Sequence, residues 1–443
     1  MLRSPTVDLD RYTQLAELGH QAVAALPLDA RLLRIESAAK RLADLADEIV
    51  ELEVGEVGMP RRFARRELQS ALLFLEHLRE FADEIRPRLV PSATGTTRLS
   101  FEPYGVVFGW HAANAPVWVP AIVGASAVVA GNALIARPSR RASRTTRRVL
   151  EIMSESLPEY ALQVLPDEVS PQEAESLIWH PGVHAVVAHA STATCKRHLA
   201  RLGAAYMDGA LLRPYIPEAS GNDAFVVLEG ADLPRTAIAL AVAAFANGGQ
   251  LCMSAKRIIC ERAVWDEFRP LLVEAVGSLV LGDPAHIDTD IAPLPEGEPR
   301  RRARAMLAEA LAFGGEVIAG VGEDGPFFTP TIVRLPLEAV DAELWSEECF
   351  APLRGLVVAD GANEVARLAR ESRYGLGIAV FGPREAAEAL AREVRTGRVM
   401  INADPLTQDP HLVVGGVADS GVLGARPKLE QLVFARRIHD ASD

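Results

Sequence analysis

The chain has 443 residues, of which 49% are hydrophobic and 24% are charged. This length suggests two or three domains or one large α/β assembly, and the composition is that of an ordinary globular protein. The formal net charge of −13 argues against nucleic acid or an anionic membrane as the main partner. We find neither an apolar stretch long enough to span a membrane nor a secretory signal, so no membrane partner is expected.

Cysteine and histidine usage points to a reduced protein without a metal site. The 4 cysteines are too few for a disulfide scaffold in so long a chain, and none forms a Cys-x-x-Cys pair. No histidine or cysteine lies at the spacing of zinc ligands, so we predict no metal. A cytoplasmic location is expected.

The predicted elements change in character along the chain. Residues of roughly 30–85 predict helices, because apolar residues recur at three- and four-residue spacing. Residues 88–105 are rich in Thr, Ser, Pro and Gly and predict a hairpin or an excursion from the main body. From Tyr104, short β-rich runs alternate with helical segments, which predicts βαβ units and a parallel sheet covered on both faces.

A second α/β stretch follows from about Asn222 to Asn402, and the last residues could form one short strand. The candidate strands in chain order are GVVFGW, NALIARP, ALQVLP, VHAVVAHA, AFVVLEG, RIICERA, EVIAG, TPTIVRLP, PLRGLVVA and IAVFG.

The segment around Cys252 is the most informative one. An Ala-rich helical stretch runs into Asn247-Gly248-Gly249, which ends the helix and exposes the backbone, and Cys252 follows at once. A thiol on such a turn can be exposed at a domain junction, where helix N-termini and backbone N–H groups favour the thiolate. A small buried hydrophobe is the commoner fate of a free cysteine, and composition alone favours that interpretation.

The residues around Cys252 favour a catalytic thiol instead of a buried structural one. NGGQLCMSAKR resembles the Asn-x-Gly-Gln-x-Cys motif of the aldehyde dehydrogenase superfamily, and Glu218 in PEASGN lies where that family has Glu-Leu-Gly-Gly-Lys. Further segments match in the same order, so the resemblance covers about residues 35–435. It implies an α/β fold with a Rossmann-type cofactor domain (1–87 and 104–217), an α/β catalytic domain (218–420) and a small β oligomerisation arm (88–103 and 430–443).

The resemblance also implies a mechanism with Cys252, Glu218 and Asn114 as catalytic residues. The Cys252 thiolate attacks an aldehyde, and the Asn114 amide and the Cys252 backbone N–H stabilise the oxyanion. Hydride passes to a nicotinamide, and Glu218 acts as general base in hydrolysis of the thioester left on Cys252. As a turn residue before Pro116, Asn114 also has a purely structural interpretation.

The cofactor implied by the resemblance is NAD or NADP. The residues inferred to bind it are Trp110, Arg137, Ser139, Arg140, Ser191, Thr192, Glu348 and Phe350. Arg140 lies where NAD-preferring members often carry a Glu that holds the ribose 2′-hydroxyl, so NADP use is a hypothesis. Against it, the run RPSRRASRTTRR has the simpler interpretation of a solvated basic helix face.

Individual matches carry different weight. Ser191 and Thr192 match the start of a helix whose N–H groups face the pyrophosphate, although Ser191 can also be a simple N-cap. Ala190 and Cys195 replace two glycines of that turn. Glu348 matches the residue that binds the nicotinamide ribose, and the cysteine after it is interpreted as packing.

Two alternatives stay open. A CoA-acylating dehydrogenase, or acyl-CoA reductase, would keep the fold and change the second step. Members of that branch often lack the base, so Glu218 favours hydrolysis. A non-catalytic binding or scaffold protein would keep only the fold, and the departures at Arg137, Ala190, Cys195 and Val413-Val414 motivate it.

The substrate is an aldehyde whose identity the sequence leaves open. The segment QDPHLVVGGVADSG loosely resembles family members that act on aromatic aldehydes. As in the family, a homodimer or a homotetramer is expected.

Overall fold

The computed structural model describes residues 7–441 of the chain. Its α-helices are α1 (Leu9–Ala24), α2 (Leu28–Asp44), α3 (Ala46–Val57), α4 (Arg61–Ala82), α5 (Trp118–Ala130), α6 (Ser143–Ser154), α7 (Pro171–Glu175), α8 (Thr192–Met207), α9 (Leu233–Phe245), α10 (Arg262–Gly277), α11 (Glu298–Ala312), α12 (Glu343–Ser346), α13 (Gly361–Arg370), α14 (Arg384–Glu393) and α15 (Lys428–Gln431). Short 3-10 helices occupy Asp83–Ile85, Ser176–Ile178, Ala246–Gly249 and Leu337–Ala339.

The strands form separate sheets that are described below. They are β1 (Arg88–Val90), β2 (Thr96–Pro103), β3 (Val106–Trp110), β4 (Ala133–Arg137), β5 (Leu162–Val164), β6 (Ala185–His189), β7 (Tyr215–Glu218), β8 (Asp223–Val227), β9 (Ala255–Glu261), β10 (Glu316–Ala319), β11 (Glu323–Asp324), β12 (Phe327–Phe328), β13 (Thr331–Arg334), β14 (Leu353–Ala359), β15 (Tyr374–Gly375), β16 (Gly377–Phe381), β17 (Arg398–Ile401), β18 (Val417–Ala418) and β19 (Val433–Asp440).

The chain divides into two compact units. Unit 1 consists of Met1–Val57, Arg65–Pro217 and Arg426–Asp443, and unit 2 of Gly58–Ala64 and Glu218–Ala425. The cofactor and catalytic roles that the sequence assigns to the two parts of the chain stay predictions.

Unit 1 contains a five-stranded sheet in the order β5-β4-β3-β6-β7. The pairs β3–β4, β4–β5 and β3–β6 are parallel, and the strands at the centre are buried along almost their whole length. Helix α5 follows β3 and is apolar on every side, which is why it is buried against the sheet. It ends at Gly131, whose φ of 97° is the left-handed cap that glycine adopts without strain.

The strand order of unit 1 reverses at one place. The chain runs from β3 outward to β4 and β5, then returns to add β6 and β7 on the other side of β3. In open parallel sheets, ligands bind outside the carboxyl ends of the strands at such a switch point. The switch in unit 1 lies between β3 and β6.

Unit 2 contains a seven-stranded sheet in the order β10-β13-β14-β9-β8-β16-β17. All its pairs are parallel except β10–β13. Apolar cores cover both faces, with Trp345 and Val357 in one core and Phe225 and Phe268 in the other. These parallel sheets with flanking helices confirm the predicted α/β fold class.

A second sheet of unit 1 joins β1, β2 and β19. The hairpin prediction is confirmed, because β1 pairs antiparallel with β2. The final strand is longer than the short one expected, since β19 pairs with β2 from Val433↔Pro103 to Asp440↔Thr96. Full backbone pairing over this length explains why the polar sequence of β19, most of it exposed, still forms a strand.

None of the helices within residues 7–441 combines the length and the apolarity needed to cross a lipid bilayer.

Candidate active site

Three segments of unit 2 meet at one edge of its sheet. Glu218, Cys252 and Glu348 lie shortly before β8, β9 and β14, and these strands are neighbours in the order β14-β9-β8. Since the amino ends of parallel strands share one edge, the topology brings the three side chains to the same place.

The turn before Cys252 has a backbone that only certain residues adopt. Asn247, Gly248 and Gly249 follow one another with φ values of 51°, 60° and 72°. Glycine enters this left-handed region freely, and asparagine is among the few other residues that tolerate it. The sequence Asn-Gly-Gly therefore ends α9 abruptly and turns the chain so that Cys252 lies just before β9, with its side chain partly exposed.

Gly221 lets the Glu218 segment approach the cysteine turn. A Cβ atom on Gly221 would overlap the carbonyl oxygen of Cys252 and lie 2.8 Å from Cδ2 of Leu376. Gly249 is similarly enclosed, because a Cβ atom there would meet the carbonyl oxygen of Ala351 at 2.6 Å. Both glycines are required for close backbone approach around the thiol.

Glu218 is held through the backbone beside it. It pairs in an isolated antiparallel bridge with Gly421, and the Ala219 N–H donates to the Ser420 carbonyl at 3.0 Å. The buried Ser420 hydroxyl accepts from the Gly375 N–H at 3.1 Å. The segments that contain Gly375 and Ser420 thus support the backbone that carries the predicted base.

Glu348 is anchored to the same group of residues. Its Oε1 accepts from the Gly221 N–H at 3.0 Å and lies 3.6 Å from Nζ of Lys256. The preceding Glu347 accepts from the Tyr374 hydroxyl at 2.8 Å. Only 13% of the Glu348 side chain is exposed, so it reaches this edge with a fixed orientation.

The charges around the thiol oppose one another. Burial raises the pKa of Cys252 to about 12, and the Lys256 ammonium group lowers it while the carboxylates of Glu348, Asp223 and Glu218 raise it. Burial also lowers the pKa of Lys256. Asp223 accepts from the Gly377 N–H at 2.9 Å, and its pKa is raised by burial to about 6.

In unit 1, Trp110 and Arg137 end the paired strands β3 and β4 and are register partners. The Arg137 guanidinium lies over the Trp110 ring, 4.1 Å from its centroid, and burial lowers the Arg137 pKa to about 10. Beyond β4, Ser139 is partly exposed and Arg140 is exposed. These residues lie at the carboxyl edge of the sheet.

The loop after β6 leads into α8. The Ser191 hydroxyl accepts from the Thr194 N–H at 3.3 Å, which makes Ser191 the N-cap, while Thr192 is buried. An N-cap serine and a bound pyrophosphate are compatible at the same helix start, and the pyrophosphate contact stays a prediction. Cys195, which replaces a glycine of the family pattern, is buried in unit 1.

Asn114 lies in the turn between β3 and α5, where it is partly exposed. The start of α5 is held by a carboxylate that the sequence did not single out. Oε1 of Glu67 accepts from the N–H groups of Val117 and Trp118, both at 2.8 Å. Glu53 lies beside Glu67, and burial raises the pKa of both carboxyls.

The structure therefore groups the predicted site residues within their units. Glu218, Cys252 and Glu348 meet in unit 2, where Phe350 is partly exposed just before β14. Those of the cofactor set in unit 1 either end β3 and β4 or lie in the segments that follow β4 and β6. Sequence reasoning missed the buried cations Lys256 and Arg354, whose only signal was a charged residue inside an apolar strand.

Comparison with known proteins identifies the family of the chain. The model of the aldehyde dehydrogenase family matches residues 3–433. Vanillin dehydrogenase of Pseudomonas fluorescens is 28% identical, with 97% of this chain and 89% of that protein covered. Succinate-semialdehyde dehydrogenase [NADP(+)] of Deinococcus radiodurans is also 28% identical, with 94% and 86% covered.

A solved structure shares the fold. Succinic semialdehyde dehydrogenase from Streptococcus pyogenes, in complex with NADP+, superimposes with a TM-score of 0.90 at 23% identity, covering 99% of this chain and 97% of that one. The match of the family model over residues 3–433 confirms the family predicted from the motifs, and the chain belongs to the aldehyde dehydrogenase family.

Proposed function

We propose that the chain oxidises an aldehyde to a carboxylic acid with NAD or NADP, using Cys252 as nucleophile and Glu218 as general base. The observation that carries the proposal is the meeting of Glu218, Cys252 and Glu348 at one edge of the unit 2 sheet. A thiol, a carboxylate near it and a second, anchored carboxylate are the groups that this chemistry needs.

The reaction has two steps, and both take place at the sulfur atom of Cys252. The Cys252 thiolate forms a bond to the carbonyl carbon, and the oxygen becomes an oxyanion that accepts from the Cys252 N–H and, by the family resemblance, from the Asn114 amide. When bound, the nicotinamide supplies the hydride acceptor. Glu218 then removes a proton from water, which attacks the thioester carbonyl and releases the acid and the Cys252 thiolate.

The residues of unit 1 fit a dinucleotide. The switch point between β3 and β6 is the place where such sheets bind ligands, and α8 begins there with the exposed Ser191. The start of α5 is already occupied by Glu67, so the pyrophosphate is assigned to α8 rather than α5. Trp110 and the stacked Arg137 end β3 and β4 beside this point.

The exposed Arg140 supports NADP as one of the two cofactors, because its guanidinium is free to face a 2′-phosphate. NADP is the cofactor of the Deinococcus relative. The relatives also suggest where to begin the search for a substrate, with aromatic aldehydes and short aldehydes that carry a carboxylate.

The test follows reduced-nicotinamide absorbance with an aldehyde panel, using NAD and NADP, each with and without CoA. We expect turnover without CoA that disappears in Cys252→Ala. Cys260→Ala is the matched control, because it removes a buried thiol in β9 that has no proposed role in catalysis or cofactor binding, and it should retain turnover.

Other outcomes would contradict the proposal in distinct ways. Turnover that depends on CoA would identify an acylating dehydrogenase, in which Glu218 is not the base. Failure to bind either nicotinamide cofactor would identify a protein that keeps the fold without the chemistry.

We also propose a homo-oligomer in the cytoplasm. The sheet of β1, β2 and β19 leaves Leu89, Phe434 and Ile438 exposed, and such apolar groups on a sheet are typical of subunit contacts. All four cysteines are free thiols, which suits a reducing compartment. Light scattering after size-exclusion chromatography tests the first point, where a monomer would contradict it, and cell fractionation tests the second.

A further inference from the structure

Lys256 is a buried lysine directly after the cysteine turn. It lies in β9, its side chain is 1% exposed, and its ammonium group binds backbone carbonyls. The Nζ atom donates to the Leu251 and Cys252 carbonyl oxygens, both at 2.7 Å, and to that of Ser254 at 3.4 Å. A buried ammonium group is costly without such partners. These hydrogen bonds therefore hold the ammonium group and the three carbonyl groups in place.

The contacts of Lys256 are concentrated on the nucleophile. Its three carbonyl partners span residues 251–254, with Cys252 between them. Glu348 Oε1 lies 3.6 Å away and is the nearest carboxylate oxygen to Nζ. One ammonium group therefore joins the segment that carries the thiol to the segment that carries Glu348.

The charged groups that face Cys252 come from several elements of unit 2. The cations are Lys256 on β9 and Arg398 on β17, and the carboxylates are those of Glu218, Asp223 and Glu348. Lys256 is the cation that acts most strongly on the thiol. The three carboxylates already outnumber the two cations around the sulfur, and without Lys256 only Arg398 would oppose them.

We propose that Lys256 is a positioning residue for the nucleophile, which fixes residues 251–254 through their carbonyls and stabilises the Cys252 thiolate with its positive charge. The inference rests on the proposed function, since it concerns the same thiol. It adds one residue to that function. Burial and the nearby carboxylates both disfavour the Cys252 thiolate, and Lys256 opposes them. A cation close to a thiol makes the thiol more acidic and therefore more nucleophilic at neutral pH.

Arg354 offers a matched control. It is also buried, and its guanidinium donates to the Gly249 carbonyl and to the Ser254 hydroxyl, both at 3.2 Å. It thus supports the same turn without touching Cys252. Removing Arg354 disturbs the local structure, whereas removing Lys256 disturbs both the structure and the charge at the sulfur.

The experiment measures the rate of Cys252 alkylation by iodoacetamide against pH, in the protein without aldehyde or cofactor, with the Cys252 peptide quantified by mass spectrometry. Lys256→Gln keeps a donor and removes the charge, and Lys256→Arg keeps the charge. We expect Lys256→Gln to raise the apparent thiol pKa by about one unit, so that alkylation at neutral pH slows about tenfold. Lys256→Arg should restore most of the wild-type profile.

Arg354→Gln should lower the melting temperature but leave the alkylation profile near that of wild type. A wild-type profile in Lys256→Gln, or an equal shift in Arg354→Gln, would overturn the inference. Should Lys256→Gln fail to fold, Glu348→Gln gives the complementary test, because losing the opposing carboxylate should lower the thiol pKa, and an unchanged or raised value would overturn the inference. The titration needs no turnover, so it is separate from the test of the proposed function, which fails if Cys252→Ala remains active.

Discussion

The carbonyl oxygen of Cys252 packs directly against Gly221, so closely that a Cβ atom on that glycine would overlap it. We therefore expect Gly221→Ala to push the Glu218 and Cys252 segments apart. Overpacking of this kind costs about 1–3 kcal/mol of stability, and a displacement of about 1 Å at the site can lower kcat about 100-fold. Thermal unfolding and steady-state kinetics measure the two effects.

Gly203→Ala is the control for this substitution. Gly203 lies within α8, and no atom lies within 4 Å of the position its Cβ would take. Alanine should there retain activity and stabilise the helix by up to about 1 kcal/mol. If Gly221→Ala behaved in the same way, the close packing around the thiol would have no functional meaning.

Glu218→Gln should stop the second half of the reaction and spare the first. The glutamine keeps the size of the side chain but cannot take a proton from water, so the thioester should accumulate. We expect a burst of reduced nicotinamide of one equivalent per site, followed by a steady rate about 100-fold or more below wild type. Rapid-quench or stopped-flow absorbance resolves the burst, and a complete loss of the burst would assign Glu218 an earlier role, such as deprotonation of Cys252.

Arg140→Glu should weaken NADP binding selectively. A carboxylate in place of the exposed guanidinium repels the 2′-phosphate, and charge-assisted hydrogen bonds of this type contribute about 1.5–3 kcal/mol. The Kd for NADP should therefore rise at least about tenfold, with little change for NAD. Arg141→Glu, at the next exposed position, is the control, and equal effects of the two variants would indicate only a general basic surface.

The titration of Asp223 should make the folded protein less stable as the pH rises. Burial raises its folded pKa from 3.8 to about 6, so the folded state holds this proton more tightly than the unfolded state. The contribution of this group to stability is full below pH 3.8 and is lost as pH rises towards 6. Asp223→Asn, which can still accept from the Gly377 N–H, should therefore gain stability relative to wild type between pH 5 and pH 7.

Melting temperatures measured across that range test the prediction. Asp266→Asn, which changes an exposed carboxyl on α10, should leave the difference from wild type constant. A constant difference for Asp223→Asn would show that the buried carboxyl is ionised in both states throughout.

The strands around the site were predictable because buried parallel strands consist of apolar residues in sequence. GVVFGW, NALIARP and VHAVVAHA are β3, β4 and β6, and each is flanked by the helical segments that the pattern indicated. The short strand β7 was not predicted. Its four residues include Pro217 and carry no regular alternation, so it depends on its neighbour in the sheet for its conformation.

The buried charges could not be predicted from local pattern. Arg354 binds the carbonyls of Ala244, Gly249 and Ala351, which belong to separate segments of the chain. Glu53 and Glu67 lie on α3 and α4, where a charged residue normally marks the solvated face of a helix. Their environment is created by tertiary packing, and no spacing within one helix indicates it.

The pairing of β19 with β2 has a consequence for synthesis on the ribosome. Unit 1 is discontinuous, and its last strand emerges only after all of unit 2 has been translated. Until then the Asn132 amide lacks the Leu432 carbonyl to which it donates at 2.9 Å, and β2 presents an open edge. Such contacts between distant parts of the sequence slow folding and leave a nascent chain exposed to aggregation. Unit 2 is therefore free to fold first, while the amino-terminal part of unit 1 lacks its partner strand until β19 has been translated.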